Sequence, residues 1–314
     1  MLALPIKKEF VVLPDTPISE AIAEVTAATW TSDLLQRRSA ATAGITCEPR
    51  SECAGFPVIS AKAWLILLYA FTCIRGEALR FGEAPSRKVH IISTDAMKIC
   101  GLVSERGEFQ TFIRDFWTTL IHCRFEWSEQ AGKEKVRREF VPLENAVIND
   151  DGSLSADFTT AFYDYLDGLM ENGSVIRVPS AFWTLPTRFS HAGTAAREIW
   201  LAVHLISRYS RGRPDNACTT SAYTLTNAAK HLMDVDTAIG KAAEAVIRGL
   251  DGLQKHKVLS GWTDTTPGLR DTCPAKWCGH GSRIWYRVAG VPRRGKEFTA
   301  MLTAGTFEEE TIMT

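Results

Sequence analysis

A stretch of chain from Tyr223 to Tyr286 sets the tightest limit on the fold. It reads β-prone AYTLT, apolar-periodic NAAKHLMDV, a second helical run TAIGKAAEAVIRGLDGLQKH, and two short strands, VLSGW and RIWYRV, around a polar loop. The second helical run is the clearest part. Ile239, Ala243, Val246, Ile247, Leu250 and Leu253 recur at the spacing of one buried helix stripe. Lys241, Ala245, Arg248 and Gly252 fall on the opposite side, with Glu244 as the discordant neighbour. Asp236 or Thr237 is placed to cap the start. Strand, helix, helix and hairpin in this order have to pack as one unit, since no piece buries its apolar face alone.

The order is that of a winged helix-turn-helix, in which the second helix is shaped for a DNA major groove and the hairpin, or wing, reaches the flanking backbone. A groove-facing helix needs small residues for close approach and a cation or two for phosphate or guanine, and this face supplies both. The wing adds Arg270, Lys276, Arg283 and Arg287, preceded by Lys255 and Lys257 and followed by Arg293, Arg294 and Lys296. A cationic hairpin beside a reading helix holds phosphates and sets register. The same residues also suit a plain solvated face.

Net charge is zero over 314 residues, which by itself speaks against a nucleic-acid partner. Its distribution does not. Residues 1–200 hold 21 Lys and Arg against 25 Asp and Glu, whereas residues 201–300 hold 15 against 8, and the tail adds Glu308, Glu309 and Glu310. The winged stretch lies in the one basic segment.

A similar order appears upstream. WLILLYAF lies in an apolar helix over 61–75; β-prone VHIIS leads into a helix TDAMKICGL capped by Ser93 and Thr94. A longer helix over 107–122 carries Phe109, Phe112, Ile113, Phe116, Trp117 and Leu120 on one stripe, with Gln110 and Arg114 mostly off it. RFEW and KVRREFVPL then alternate as a hairpin around SEQAGKE, whose cations are Lys133, Lys135, Arg137 and Arg138. Trp64-Leu65 matches Trp200-Leu201 at an offset of 136, Ser93 matches Thr226 at 133, and Trp127 matches Trp262 at 135. These landmarks argue for an internal duplication.

The expected fold class is therefore α+β, mainly α: two tandem winged helix-turn-helix domains with short β-hairpin wings. Residues 1–56 read as an N-terminal helix from Ser19 to Gln36 and a flexible linker, 57–150 as the first domain, and 151–193 as a connection. Residues 194–296 read as the second domain and main DNA reader, and 297–314 as an acidic tail. In the connection, Phe158, Phe162, Tyr165, Leu166, Phe182 and Trp183 read as packing residues rather than base-stacking ones. Ile199, Trp200, Val203, Ile206 and Tyr209 face inward on the helix that opens the second domain.

Other classes find little support. The eight cysteines read as reduced thiols of a cytoplasmic protein. The N-terminus lacks a signal-peptide core, and the longest apolar run, 63–74, is too short to span a bilayer. Cys273, Cys278 and His280 form a loose cluster without an evident fourth ligand, so no metal and no cofactor are expected. GVPRRGKE from Gly290 mimics a phosphate loop but has Glu297 where Ser or Thr should hold magnesium. No nicking, metalloprotease or nucleophile-elbow motif is present, and an enzyme is not expected.

The doubled order, WLILLYAF, and SVIRVPSAFWTL leading to AAREIWLAVHLISRYSR together resemble the tandem winged-helix replication initiators of iteron-type theta plasmids over roughly 56–288. The long small-residue N-terminal stretch and the Cys-containing second wing depart from that pattern. The resemblance implies binding to repeated origin sites in double-stranded DNA with the second unit making the main contacts. It also implies a first unit that shares contacts and dimerisation, recruitment of host replication proteins, and duplex opening by binding energy alone. The alternatives are a transcriptional regulator of phage or mobile-element origin, and a winged-helix module that binds protein.

Overall fold

A computed structural model describes residues 9–27, 46–49, 61–84, 86–99, 117, 120–121, 123–131, 134–185, 194–211, 218–233, 237–279 and 281–291. In the N-terminal half these form β1 (Phe10–Pro14), α1 (Pro17–Ala27), β2 (Thr46–Pro49), α2 (Ala61–Phe81), β3 (Lys88–Ile91) and α3 (Ser93–Ile99). There follow β4 (Cys123–Ala131), β5 (Glu134–Phe140), β6 (Leu143–Ile148), β7 (Leu154–Phe158), α4 (Thr160–Glu171), β8 (Val175–Pro179) and α5 (Ser180–Trp183).

Helix α2 is the axis of this half. Its first eleven residues, Ala61 to Phe71, are all buried and, Lys62 apart, apolar or aromatic, so this part of the helix needs partners on every side. It runs six residues past the expected end, through Gly76, and stops at Phe81, where Gly82 takes a left-handed φ of 63°. The Glu83 amide then donates to the Ala78 carbonyl at 3.0 Å. Lys62, 2% exposed, donates from Nζ to the carbonyl oxygens of Trp183 (2.8 Å) and Leu185 (2.7 Å), tying α2 to α5.

The sheets of this half differ from the sequence expectation. Strands β4 and β5 do pair as a hairpin, from Phe125↔Phe140 to Ala131↔Glu134, so the loop read as SEQAGKE shortens to its tip. The hairpin's third strand is β2, from the stretch read as linker. Strand β3 belongs to another sheet, ordered β3-β7-β6, whose β7 lies in the stretch read as connection. A boundary at 150/151 thus falls in the turn of a β-hairpin. Leu154, Ala156 and Phe158 alternate inward along β7, and the register sets Val89 beside Ala156 and Ile91 beside Leu154 on that buried face. Ser93 does not cap α3 either: its hydroxyl donates to the Asp151 carbonyl.

The N-terminal segment is built in. Strand β1 pairs antiparallel with β8, and α1 packs against α2 and against the first helix of the second half, α6 (Thr194–Arg211). Trp64 Nε1 donates to Ser19 Oγ at 3.0 Å, and Arg211 donates to Asp15 at 2.8 Å. Helix α1 ends at Ala27; the rest of the expected Ser19–Gln36 helix lies outside the described residues. The connection's aromatics are core, as expected: Phe158, Phe162, Leu166, Phe182 and Trp183 are buried and Tyr165 is half-buried.

The second half continues with β9 (Cys218–Ser221), α7 (Ala222–Leu232), α8 (Ile239–Lys255), β10 (Leu259–Asp264), α9 (Pro267–Thr272), α10 (Pro274–Gly279) and β11 (Arg283–Val288). Its sheet is ordered β10-β11-β9, so the strand ahead of the two helices pairs with the returning strand of the hairpin. AYTLT is not a strand. Ser221 accepts from the Thr224 amide and starts α7 at Ala222, which leaves Thr226 five residues into a helix rather than at its cap. On α6, Ile199, Trp200, Val203, Ile206 and Tyr209 all point into the core. Among the described residues no helix is long and apolar enough to cross a membrane.

Candidate nucleic-acid interface

Helix α8 is held on one side by Ala242, Ala243, Val246, Gly249, Leu250 and Leu253, all buried. Ile239 and Ile247, expected inside, are half-buried. Gly249 lets α6 approach closely: a Cβ there would stand 2.9 Å from Leu201 Cδ2 on α6, so the leucine end would have to shift. The opposite face carries Lys241, Glu244, Arg248, Asp251 and Lys255, all exposed. Their spacing of three, four, three and four keeps them on one stripe. Gly252 does not share that open face. A Cβ there would meet Glu198 Oε1 at 2.7 Å, so this glycine makes room for a carboxylate of α6.

Both ends of α8 depart from the simplest expectation. The N-cap is Ala238, without a side-chain hydrogen bond, and not Asp236 or Thr237; the helix starts two residues late. At the C-terminal end Lys257 takes φ 60°. The Val258 amide donates to the Leu253 carbonyl (2.9 Å) and the Lys257 amide to that of Gln254 (3.0 Å), closing the left-handed cap. A lysine there is strained by its Cβ. Lys257→Gly is expected to stabilise the fold by about 1 kcal/mol, read as a rise in thermal midpoint.

The stretch expected to form the wing is not an open hairpin. Pro267 and Pro274 start two short helices, and α10 folds back onto α8; a Cβ at Gly240 would stand 3.6 Å from Ala275 Cβ. Trp277 and Cys278 are buried there. Arg270 faces inward: it donates to Asp264 (3.1 Å) and Asp271 (2.8 Å) and lies over the Trp262 ring at 5.2 Å. The bond to Asp271, with Asp264 and Asp251 nearby, raises its pKa. The Asp264 side chain is fully shielded from solvent and needs this partner, so Arg270 is a structural cation of the wing.

The other second-half candidates are open. Lys241, Arg248, Lys255, Lys257, Lys276, Arg283 and Arg287 are exposed and make no ion pair among the described residues. Asp251 is partly withdrawn, accepting from Trp262 Nε1 at 3.1 Å. Of the first-half candidates, Arg137 is exposed on β5, Lys135 and Arg138 sit on the same strand opposite Gln130 and Trp127, and Gln110 and Arg114 lie outside the described residues. Cys73, Cys218, Cys273 and Cys278 are free thiols, and His280 lies outside the described residues.

Two residues escaped the sequence reading. Arg197 of α6 lines a groove with Arg248, Glu198, Ala245 and Gly249. Partial burial, and then the charge of Arg248, lower its pKa; burial raises that of Glu198, with His256 opposing. Its signal was its place off the α6 apolar stripe, next to the helix it faces. The second is Trp285, 39% exposed between Arg283 and Arg287. Strict alternation along RIWYRV already put these three on one face.

No family model matches the chain, and no curated protein does. Two solved structures are similar in arrangement. One is the crystal structure of selenomethionine derivatives of domains 2 and 3 of RctB, 14% identical, with a TM-score of 0.44, covering 79% of this chain and 87% of that one. The other is a crystal structure of RctB domains 2–3, 15% identical, with a TM-score of 0.37, covering 67% and 73%.

Proposed function

We propose that the chain binds double-stranded DNA in a sequence-specific way through residues 194–291 acting as a winged helix-turn-helix, and that it serves to initiate replication at repeated origin sites. The observation that carries the DNA reading is the α8 face, where Lys241, Arg248 and Lys255 stand exposed beside a three-stranded sheet ordered β10-β11-β9. In such a unit α8 enters the major groove, Lys241 and Arg248 reach base edges or phosphates, and Lys257 and Lys276 hold the backbone on either side. Glu244 suits the amino group of a cytosine. Arg197 adds a second guanidinium beside Arg248.

The initiator role rests on the sequence resemblance. In that role the first half supplies further contacts through Arg137 and its hairpin and a surface for a second copy, and host replication proteins join at the opened origin in the cytoplasm. No covalent step is involved: binding energy deforms the duplex. Footprinting on DNA flanking the chain's own gene tests this. Several protected direct repeats with local strand opening are expected; one or two protected operators without opening make it a transcriptional regulator. No protected site at low salt overturns DNA binding and leaves the protein-binding module.

A further inference from the structure

Strand β11 is the middle strand of the second-half sheet, and its two faces differ in kind. Ile284, Tyr286 and Val288 enter the core, where the Tyr286 hydroxyl donates to the Leu205 carbonyl at 3.0 Å. Arg283, Trp285 and Arg287 stand on the other face, all exposed. Among the tryptophans whose side chains are described, Trp285 is the most open at 39% exposed: Trp64, Trp117, Trp183, Trp200 and Trp277 are each 3% exposed or less and Trp262 is half-buried. Its cross-strand neighbours on both sides are threonines, Thr263 on β10 and Thr219 on β9, too small to cover an indole. Tyr223, 53% exposed, follows two residues after Ser221, the partner of Arg283.

A flat, uncovered ring with a guanidinium on each side along the strand is chemically suited to a chain of aromatic rings joined by anions. The rings of a duplex are already stacked on each other and offer only their edges, so an indole face finds a partner only where the strand is unpaired. Arg283 and Arg287 are four residues apart, about 13 Å at strand rise, enough to flank a stacked base with phosphate contacts on both sides. We propose that this sheet face binds single-stranded nucleic acid, with a base stacked on Trp285 and Arg283 and Arg287 on its phosphates. The face shares Arg283 and Arg287 with the wing cations of the duplex reading but uses no residue of α8, so α8 variants tell the two apart.

The test is fluorescence anisotropy of the full chain with a labelled oligothymidylate and, in parallel, with a labelled duplex. Trp285→Ala should weaken oligothymidylate binding about tenfold or more, and Trp285→Phe should retain most of it. Arg283→Gln with Arg287→Gln should weaken it and flatten its salt dependence. Lys241→Ala with Arg248→Ala should leave it unchanged. These side chains are exposed, so thermal melting should match the parent. Failure of the parent chain to bind the oligonucleotide, or equal binding by Trp285→Ala, overturns the proposal. Failure of the parent chain to bind the duplex while it binds the oligonucleotide would overturn only the duplex reading.

Discussion

Trp64→Ala is expected to lower stability by about 3–5 kcal/mol, read as a fall of roughly 10 °C in thermal midpoint. Trp64 is fully buried on α2, with Phe125 of the first hairpin at 5.4 Å and Phe162 of α4 at 5.9 Å between ring centroids. Its Nε1 donates to Ser19 on α1. One side chain therefore joins three pieces of chain that the sequence assigns to three separate regions. Truncation leaves a cavity among them and a buried hydroxyl without its donor, and both terms add. Trp64→Phe keeps most of the packing and should cost distinctly less. If Trp64→Ala shifts stability by under about 1 kcal/mol, the N-terminal helix and the first half are not one packed body.

The same residue marks where local reading stops. The second half was legible because each of its signals lies within a few residues: a stripe along α8, alternation along β10 and β11, and buried aromatics on α6. AYTLT misled because β-propensity outvoted Ser221, whose hydroxyl two residues before Tyr223 is the actual start signal. The stretch between VLSGW and RIWYRV, expected as a polar loop, differs because Pro267 and Pro274 each open a short helix within it. No local rule tells β3 to pair with β7, 63 residues on from Ile91 to Leu154, or β1 with β8. Pairing of that range depends on which apolar edge is still open once the neighbours have packed. The candidate site divides in the same way. Exposure of Lys241 and Arg248 followed from helical period, whereas the inward turn of Arg270 followed from an acid, Asp264, that is buried only by the folded wing.

Lys241→Ala with Arg248→Ala is expected to weaken binding to the footprinted duplex about a hundredfold, near 2.7 kcal/mol, with little change in thermal midpoint. The two lie seven residues apart on the open stripe of α8, two turns along the same face, so in the proposed duplex complex both would address one groove. Neither has an ion-pair partner among the described residues, and their removal strands no buried acid; this separates the binding effect from a folding effect. Arg270→Ala is the contrast, for it leaves Asp264 shielded and short of its cation, so stability should fall with it. The slope of log affinity against log salt should become shallower by about one unit for each of the pair that contacts phosphate, and stay unchanged for one that reads a base. Arg114→Ala should cost less than the pair, because the second half carries the basic excess. Equal losses from Arg114→Ala and from the α8 pair would move the principal reader to the first half and leave α8 a solvated face.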